Sequence, residues 1–192
     1  MRIMQAVVTA STAWLLATAA FAQGTCPANG NRDLKLELIR LGRDKVMDGD
    51  RRVDRIYGDI GVNGQNIGRF YENPEKLITT GTYQGVLRYR SDKNFVQSSC
   101  GEIARDGDFL LEIAGVKRAD GKPRTAILLH PGFLPSHSEG CILMGPRKRG
   151  ADAKPLPLDA DSPLVKLRRA FYGTDNPIAC PDRGITIIVS GG

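Results

Sequence analysis

Both histidines of the chain and one of its four cysteines fall within a single stretch, Ile127–Gly145. Histidine is the side chain most readily poised as a base near neutral pH. Cysteine becomes a strong nucleophile when a neighbouring base or cation favours its thiolate. His130 ends the apolar run Ile127-Leu128-Leu129, a Gly/Pro/Ser loop follows, and Gly140-Cys141 opens a second apolar run, Ile142-Leu143-Met144. This is a loop between two strands, with a base at its entry and a nucleophile at its exit. It is a Cys-His site in outline, with Cys141 as the candidate nucleophile and a histidine as its candidate base. A strand end would hold His130 rigidly, as a base requires. His137 sits between Ser136 and Ser138, placed to touch a substrate or simply to line the surface of a loop. Glu139 has the same two readings, orienting loop or substrate amine, or standing as a solvated turn residue.

Two other chemistries fit less well. His130, His137 and Cys141 are all metal-ligand types, but their spacing matches no common zinc pattern and no fourth ligand is evident, so no metal or other cofactor is expected. Papain-like and cell-wall cysteine peptidases place the cysteine before the histidine, whereas here both histidines precede Cys141. Downstream, Arg147, Lys148 and Arg149 can hold a peptide carboxylate by charge-assisted bonds, or form an ordinary solvated basic turn.

The motif His130-Pro131-Gly132, with Ser138-Glu139-Gly140-Cys141-Ile142-Leu143-Met144-Gly145 beyond the loop, resembles the active-site segment of the YkuD-like L,D-transpeptidase superfamily. Upstream, Ile78-Thr79-Thr80-Gly81-Thr82-Tyr83 resembles the turn-and-strand signature of that superfamily. The loop here is shorter than usual, and Glu139 stands where a second histidine commonly precedes the Gly-Cys pair. Such a compact form resembles a small branch of the superfamily, and short-loop versions occur among secreted antibacterial wall toxins. The resemblance spans roughly Leu34 to Ile188. It implies a β-sandwich with the catalytic loop at one end, and peptidoglycan stem peptides as substrate. It further implies Cys141 as nucleophile and His130 as base, with the ring oriented by a backbone carbonyl near Pro131. Oxyanion donors would be the backbone N–H groups around Gly140 and Cys141, where a glycine allows close approach of the substrate.

Leu34-Lys35-Leu36-Glu37-Leu38 alternates as a half-buried strand does. Asp48-Gly49-Asp50 predicts a hairpin turn, and Asn63-Gly64 predicts a second one. Further strands are expected over Gly81–Tyr89, Asp108–Val116, Arg124–Leu129 and Ile185–Val189, with a polar loop over Lys93–Gly107 and another over Gly145–Leu158. Ser162-Pro163 supplies the start and Gly173 the stop of one helix, with Leu164, Leu167 and Phe171 on one face. Many short strands and one late helix predict a mainly β fold, a sandwich or small barrel.

At 192 residues the length predicts one domain able to bury its own core, and the resemblance makes residues 34 to 192 its catalytic domain. Met1-Arg2, the apolar run to Ala20 and Ala20-Phe21-Ala22 read as a signal peptide of residues 1–22, followed by a loose lead-in over 23–33. Its removal takes Arg2 alone and lowers the formal charge from +6 to +5. The expected location is periplasmic or secreted, with no stretch left to span a membrane. A basic balance suits an anionic polymer, which outside a bacterial membrane means the wall, but so mild a balance carries little information by itself. No aromatic-interleaved basic patch supports nucleic-acid binding. Export permits disulfides among Cys26, Cys100, Cys141 and Cys180. If Cys141 is the nucleophile, only one pair can form among the other three; the alternative is two disulfides that consume it.

Overall fold

The alternation that begins at Leu34 does not stop at Leu38: it runs on to Asp48, and the whole stretch Leu34–Asp48 is strand β1. The computed structural model describes residues 33–88, 110–117, 121–146, 151, 158–175 and 183–192. The expected signal peptide, the lead-in up to residue 32, the loop over 93–107, Arg147 and the cysteines 26, 100 and 180 lie outside these residues. Asp48-Gly49-Asp50 turns the chain into β2 (Arg51–Val62), and Asn63-Gly64 turns it into β3 (Gln65–Glu72). Asn63 and Gly64 both take positive φ, 51° and 83°. That is the backbone twist a two-residue hairpin turn needs, and the reason Asn-Gly marks one so well.

Strands β4 (Gly81–Arg88), β5 (Leu110–Ala114), β6 (Leu128–His130), β7 (Ile142–Leu143) and β8 (Ile185–Gly191) complete the sheet. The strand order β1-β2-β3-β7-β6-β5-β4-β8 closes on itself, so of the two expected architectures the chain adopts the barrel. Closure comes from β8 pairing with β1, parallel, from Leu34 opposite Ile185 to Arg40 opposite Gly191. The other parallel pair is β6 with β7. Inward-facing Leu34, Leu36, Leu38, Ile60, Phe70, Leu111, Ile113, Leu129, Ile142 and Ile187 are fully buried and fill the barrel. Each such side chain contributes about 1.5–3 kcal/mol.

The strand expected from Arg124 starts only at Leu128. Ala126 adopts φ 59°, a left-handed conformation that a strand cannot contain. Helix α1 (Pro163–Tyr172) has Pro163 in its first turn, and Gly173 at φ 74° closes it by donating its N–H to the Arg169 carbonyl at 2.8 Å. Ser162 occupies the N-cap, although its hydroxyl makes no cap bond. Leu164, Leu167 and Phe171 turn inward onto the core as their spacing requires.

Among the described residues, a charged pair shares the interior. Arg40, on the inward face of β1, donates Nε and Nη2 to the two carboxylate oxygens of Glu72 on β3, at 2.7 and 2.9 Å. Its Nη2 also donates to the carbonyl of Ile78 at 2.8 Å. The two side chains are only 6% and 2% exposed, so the bidentate pairing is what makes burial of either charge tolerable.

Candidate active site

The site is built on the shortest strands. Pairing of Leu129 with Ile142 and of His130 with Leu143 joins β6 to β7, and Leu129 and Ile142 point into the core. Alternation therefore turns His130 to the outer face of the wall, beside Leu143 and then Tyr71 and Tyr57 on the next strands. The imidazole Nδ1 lies 2.8 Å from the carbonyl oxygen of Pro131. A carbonyl only accepts, so in the neutral ring Nδ1 carries the proton and Nε2 offers its lone pair. Burial draws the His130 pKa below its ordinary value; the Pro131 carbonyl opposes this and His137 adds to it. At neutral pH His130 is thus an uncharged base of fixed tautomer.

Cys141 is a half-buried free thiol. Its sulfur occupies the seam at the start of β6, accepting the Leu128 N–H at 3.4 Å and donating to the Ala126 carbonyl at 3.5 Å. No hydrogen bond joins thiol and imidazole; Leu128 and His130 stand two residues apart, roughly 6–7 Å of strand rise. Burial pushes the thiol pKa up, the Leu128 N–H and the Arg124 charge pull against this, and the Glu139 carboxylate adds to the rise. Both partners are therefore neutral at pH 7.

The loop between them is tied down at several points. Arg55, gripping Asp44 on β1 through Nε and Nη2, donates Nη1 to the Phe133 carbonyl at 3.0 Å. At the tip of the β1–β2 hairpin, Asp48 accepts the Ser136 N–H at 2.8 Å and the Ser136 hydroxyl at 2.6 Å. These bonds hold the Asp48 carboxyl below its usual range. Asn73 donates to the Pro135 and Ser138 carbonyls at 3.3 and 3.4 Å. Pro135–His137 forms a short 3-10 turn within this frame. His137 is exposed, edge-on to the Phe133 ring at 5.7 Å. The Glu139 side chain is 91% exposed, with its carboxylate 3.5 Å from Lys76 Nζ.

Gly140 holds φ 113°, and its N–H donates to the Ser138 hydroxyl at 2.8 Å, while that hydroxyl donates to the Cys141 carbonyl at 2.8 Å. The Gly140 amide can serve an oxyanion only by giving up that bond. A second reason for glycine here is invisible in the sequence. A Cβ on residue 140 would collide with the Arg124 guanidinium and come within 2.7 Å of the Lys76 carbonyl oxygen. Arg124 crosses directly over it, donating Nη1 to the carbonyls of Lys76 (2.8 Å) and Leu77 (3.5 Å) and Nη2 to the carbonyl of Glu139.

The structure thus gathers His130, Pro131, Gly140 and Cys141 around two adjacent strands, with His137 and Glu139 on the loop between them. Arg124, Asp48, Asn73 and the left-handed Ala126 complete the surroundings, and sequence reasoning missed all four as site residues. A non-glycine residue in a sparsely populated conformation beside a thiol is the kind of outlier that marks a working site, but φ cannot be read from an alanine codon. Among the described residues no group of three or more His, Cys, Asp or Glu side chains is placed to hold a metal ion. No protein-family model, no curated protein and no solved structure matches this chain, so the reading of the site rests on its geometry.

Proposed function

We propose that the chain is an exported cysteine acyl transferase acting on the stem peptides of peptidoglycan, as an L,D-transpeptidase or L,D-carboxypeptidase. One observation carries the reading. The His130 ring is fixed by Pro131 so that Nε2 is left as a neutral base, and it stands at one end of the three-residue strand whose other end holds the Cys141 sulfur.

With thiol and imidazole both neutral, attack proceeds by general-base catalysis rather than from a preformed ion pair. Cys141 rotates about χ1, leaving the Leu128 N–H and the Ala126 carbonyl. Nε2 of His130 takes the S–H proton as the sulfur bonds to the donor carbonyl carbon. The tetrahedral oxyanion collapses, the C–N bond breaks, and His130 returns its proton to the departing amine of the terminal D-amino acid. His130 then takes a proton from an acceptor amine or water as it bonds to the thioester carbon, the C–S bond breaks, and the Cys141 sulfur leaves with that proton as the thiol; an amine gives a cross-link or an exchanged D-amino acid, and water gives a shortened stem. Arg147 is proposed to receive a stem carboxylate, with His137 and Glu139 as contacts along the way.

The test is incubation of the mature protein with tetrapeptide-stem muropeptides and mass analysis of the products. Loss of the terminal residue, or its replacement, in the wild type but not in Cys141→Ala supports the reading. Unchanged muropeptides across a range of donors and acceptors reject it.

A second reading has an observation of its own. The sulfur is bonded to two backbone groups and not to His130, which suits a non-catalytic wall-binding module in which Cys141 merely stitches β6 to the loop. Binding of intact wall polymer without any covalent change would favour that module. Use of the same chemistry on a rival's wall, as an antibacterial effector, would appear as lysis of foreign cells.

A further inference from the structure

The segment that leads from β3 to β4 and the loop that delivers Cys141 are distant in sequence, yet one guanidinium holds both. Arg124 donates to the carbonyls of Lys76 and Leu77 on the first and of Glu139 on the second. Its own backbone is anchored, its N–H donating to the Val116 carbonyl at 2.8 Å. The β3–β4 segment is held from its other side, where the buried Arg40–Glu72 pair takes the Ile78 carbonyl. Gly140 is shaped to let the guanidinium through, since any Cβ there would strike Nη2. Arg124 is half-buried, and its planar fork is given to three backbone carbonyls, of which that of Glu139 lies one residue before the Gly140-Cys141 pair.

We propose that Arg124 is the positioning residue of the thiol: its fork sets the conformation of Glu139-Gly140-Cys141 and places a permanent positive charge beside the sulfur. The proposal rests on Cys141 being the reactive group of the site, and it adds a residue that no motif contains. Charged and titratable groups around the sulfur come from every neighbouring element: Arg124 from the β5–β6 connection, His130 from β6, and Glu139 from the loop with Lys76 facing it. On β5, Glu112 reaches the Ala126 N–H at 3.4 Å. Among these, Arg124 favours the thiolate, whereas Glu139 and burial oppose it.

The experiment is the pH dependence of alkylation of Cys141 by iodoacetamide on the full chain, followed peptide by peptide so that the other cysteines are separated. Arg124→Gln is expected to move the midpoint of the profile to higher pH and to slow alkylation at pH 8 by about tenfold, the effect of one nearby charge. Arg124→Lys keeps a charge but loses the fork, so its profile should fall between the two. Gly140→Ala, which expels the guanidinium while leaving it in the chain, should resemble Arg124→Gln. A merely structural arginine would lower the melting temperature and leave the profile where it was, and that result overturns the proposal. If Arg124→Gln does not fold, Arg124→Lys decides: a wild-type profile in that variant also overturns it. Alkylation needs no peptide substrate. A wild type that turns over no muropeptide would reject the proposed function while leaving this assignment to stand or fall on its own data.

Discussion

At the scale of single residues, the two histidines of the proposed site are held differently. His130 is pinned at a strand end by Pro131, whereas His137 rides exposed on the loop against Phe133. His130→Ala should therefore lower acylation of Cys141 by about 10²–10⁴-fold, the usual range for a positioned base. His137→Ala should cost about tenfold or less if it only lines the approach. Thioester formation with a peptide or β-lactam donor, at matched circular dichroism, measures both; the assignment is reversed if His137→Ala is the dead variant. The pH dependence follows from burial. The His130 pKa is drawn below 6.5, so the acid limb of the rate profile should have its midpoint below that value. The unfolded ring takes up its proton near 6.5 and the folded one only at lower pH, so this histidine makes stability fall as the solution is acidified through and below 6.5. Denaturation midpoints that did not change between pH 7 and pH 5 in wild type relative to His130→Ala would contradict this.

At the scale of elements, much of the framework was legible and the reasons are local. Asn63-Gly64 and Asp48-Gly49-Asp50 each carry their turn in their own side-chain chemistry, and Pro163 and Gly173 do the same for α1. The loop from His130 to Cys141 was legible as a site because both chemical groups lie in one short stretch. What holds that loop was not. Asp48 meets Ser136 across 88 positions of sequence, and Arg124 meets Lys76 across 48. No pattern within a window of the chain encodes such bonds. Nor did periodicity reveal the interruption at Ala126, since an alanine among apolar residues reads as continuing strand. The hairpin tip is the most direct of these supports to test. Asp48→Ala removes both bonds to Ser136, and amide exchange over Phe133–Ser138 should then quicken by severalfold while the barrel strands keep their protection. Unchanged exchange in the loop would show that Arg55 and Asn73 suffice to hold it.

At the scale of the whole molecule, the hydrophobic interior of the described residues holds a buried charged pair, Arg40 with Glu72. Glu72→Ala strands a buried guanidinium and should cost about 3–5 kcal/mol, whereas replacing both partners by apolar residues of similar size should be close to neutral. Urea denaturation of the single and double variants distinguishes the two cases, and a mild effect of Glu72→Ala would mean that water reaches Arg40. The same pair holds Ile78, so part of the loss should also appear as altered reactivity of the distant thiol. Such coupling is expected when one packed network carries both core and site.

The parallel seam between β1 and β8 sets a schedule as well as a shape. The first described strand has no neighbour on one side until the last is made, and contacts such as Gly184 with Asp33 bridge 151 positions. At the usual pace of synthesis, about 5–20 residues per second, that interval is roughly 8–30 s. Throughout it, the ladder edge of β1 stands open, and Ile39 and Leu41 are exposed even in the finished protein. Such an edge can recruit a wrong strand from another chain. Until β8 has been made, a nascent molecule of this design leaves that edge unpaired. If it is exported as proposed, that same delay keeps it threadable until translocation is under way.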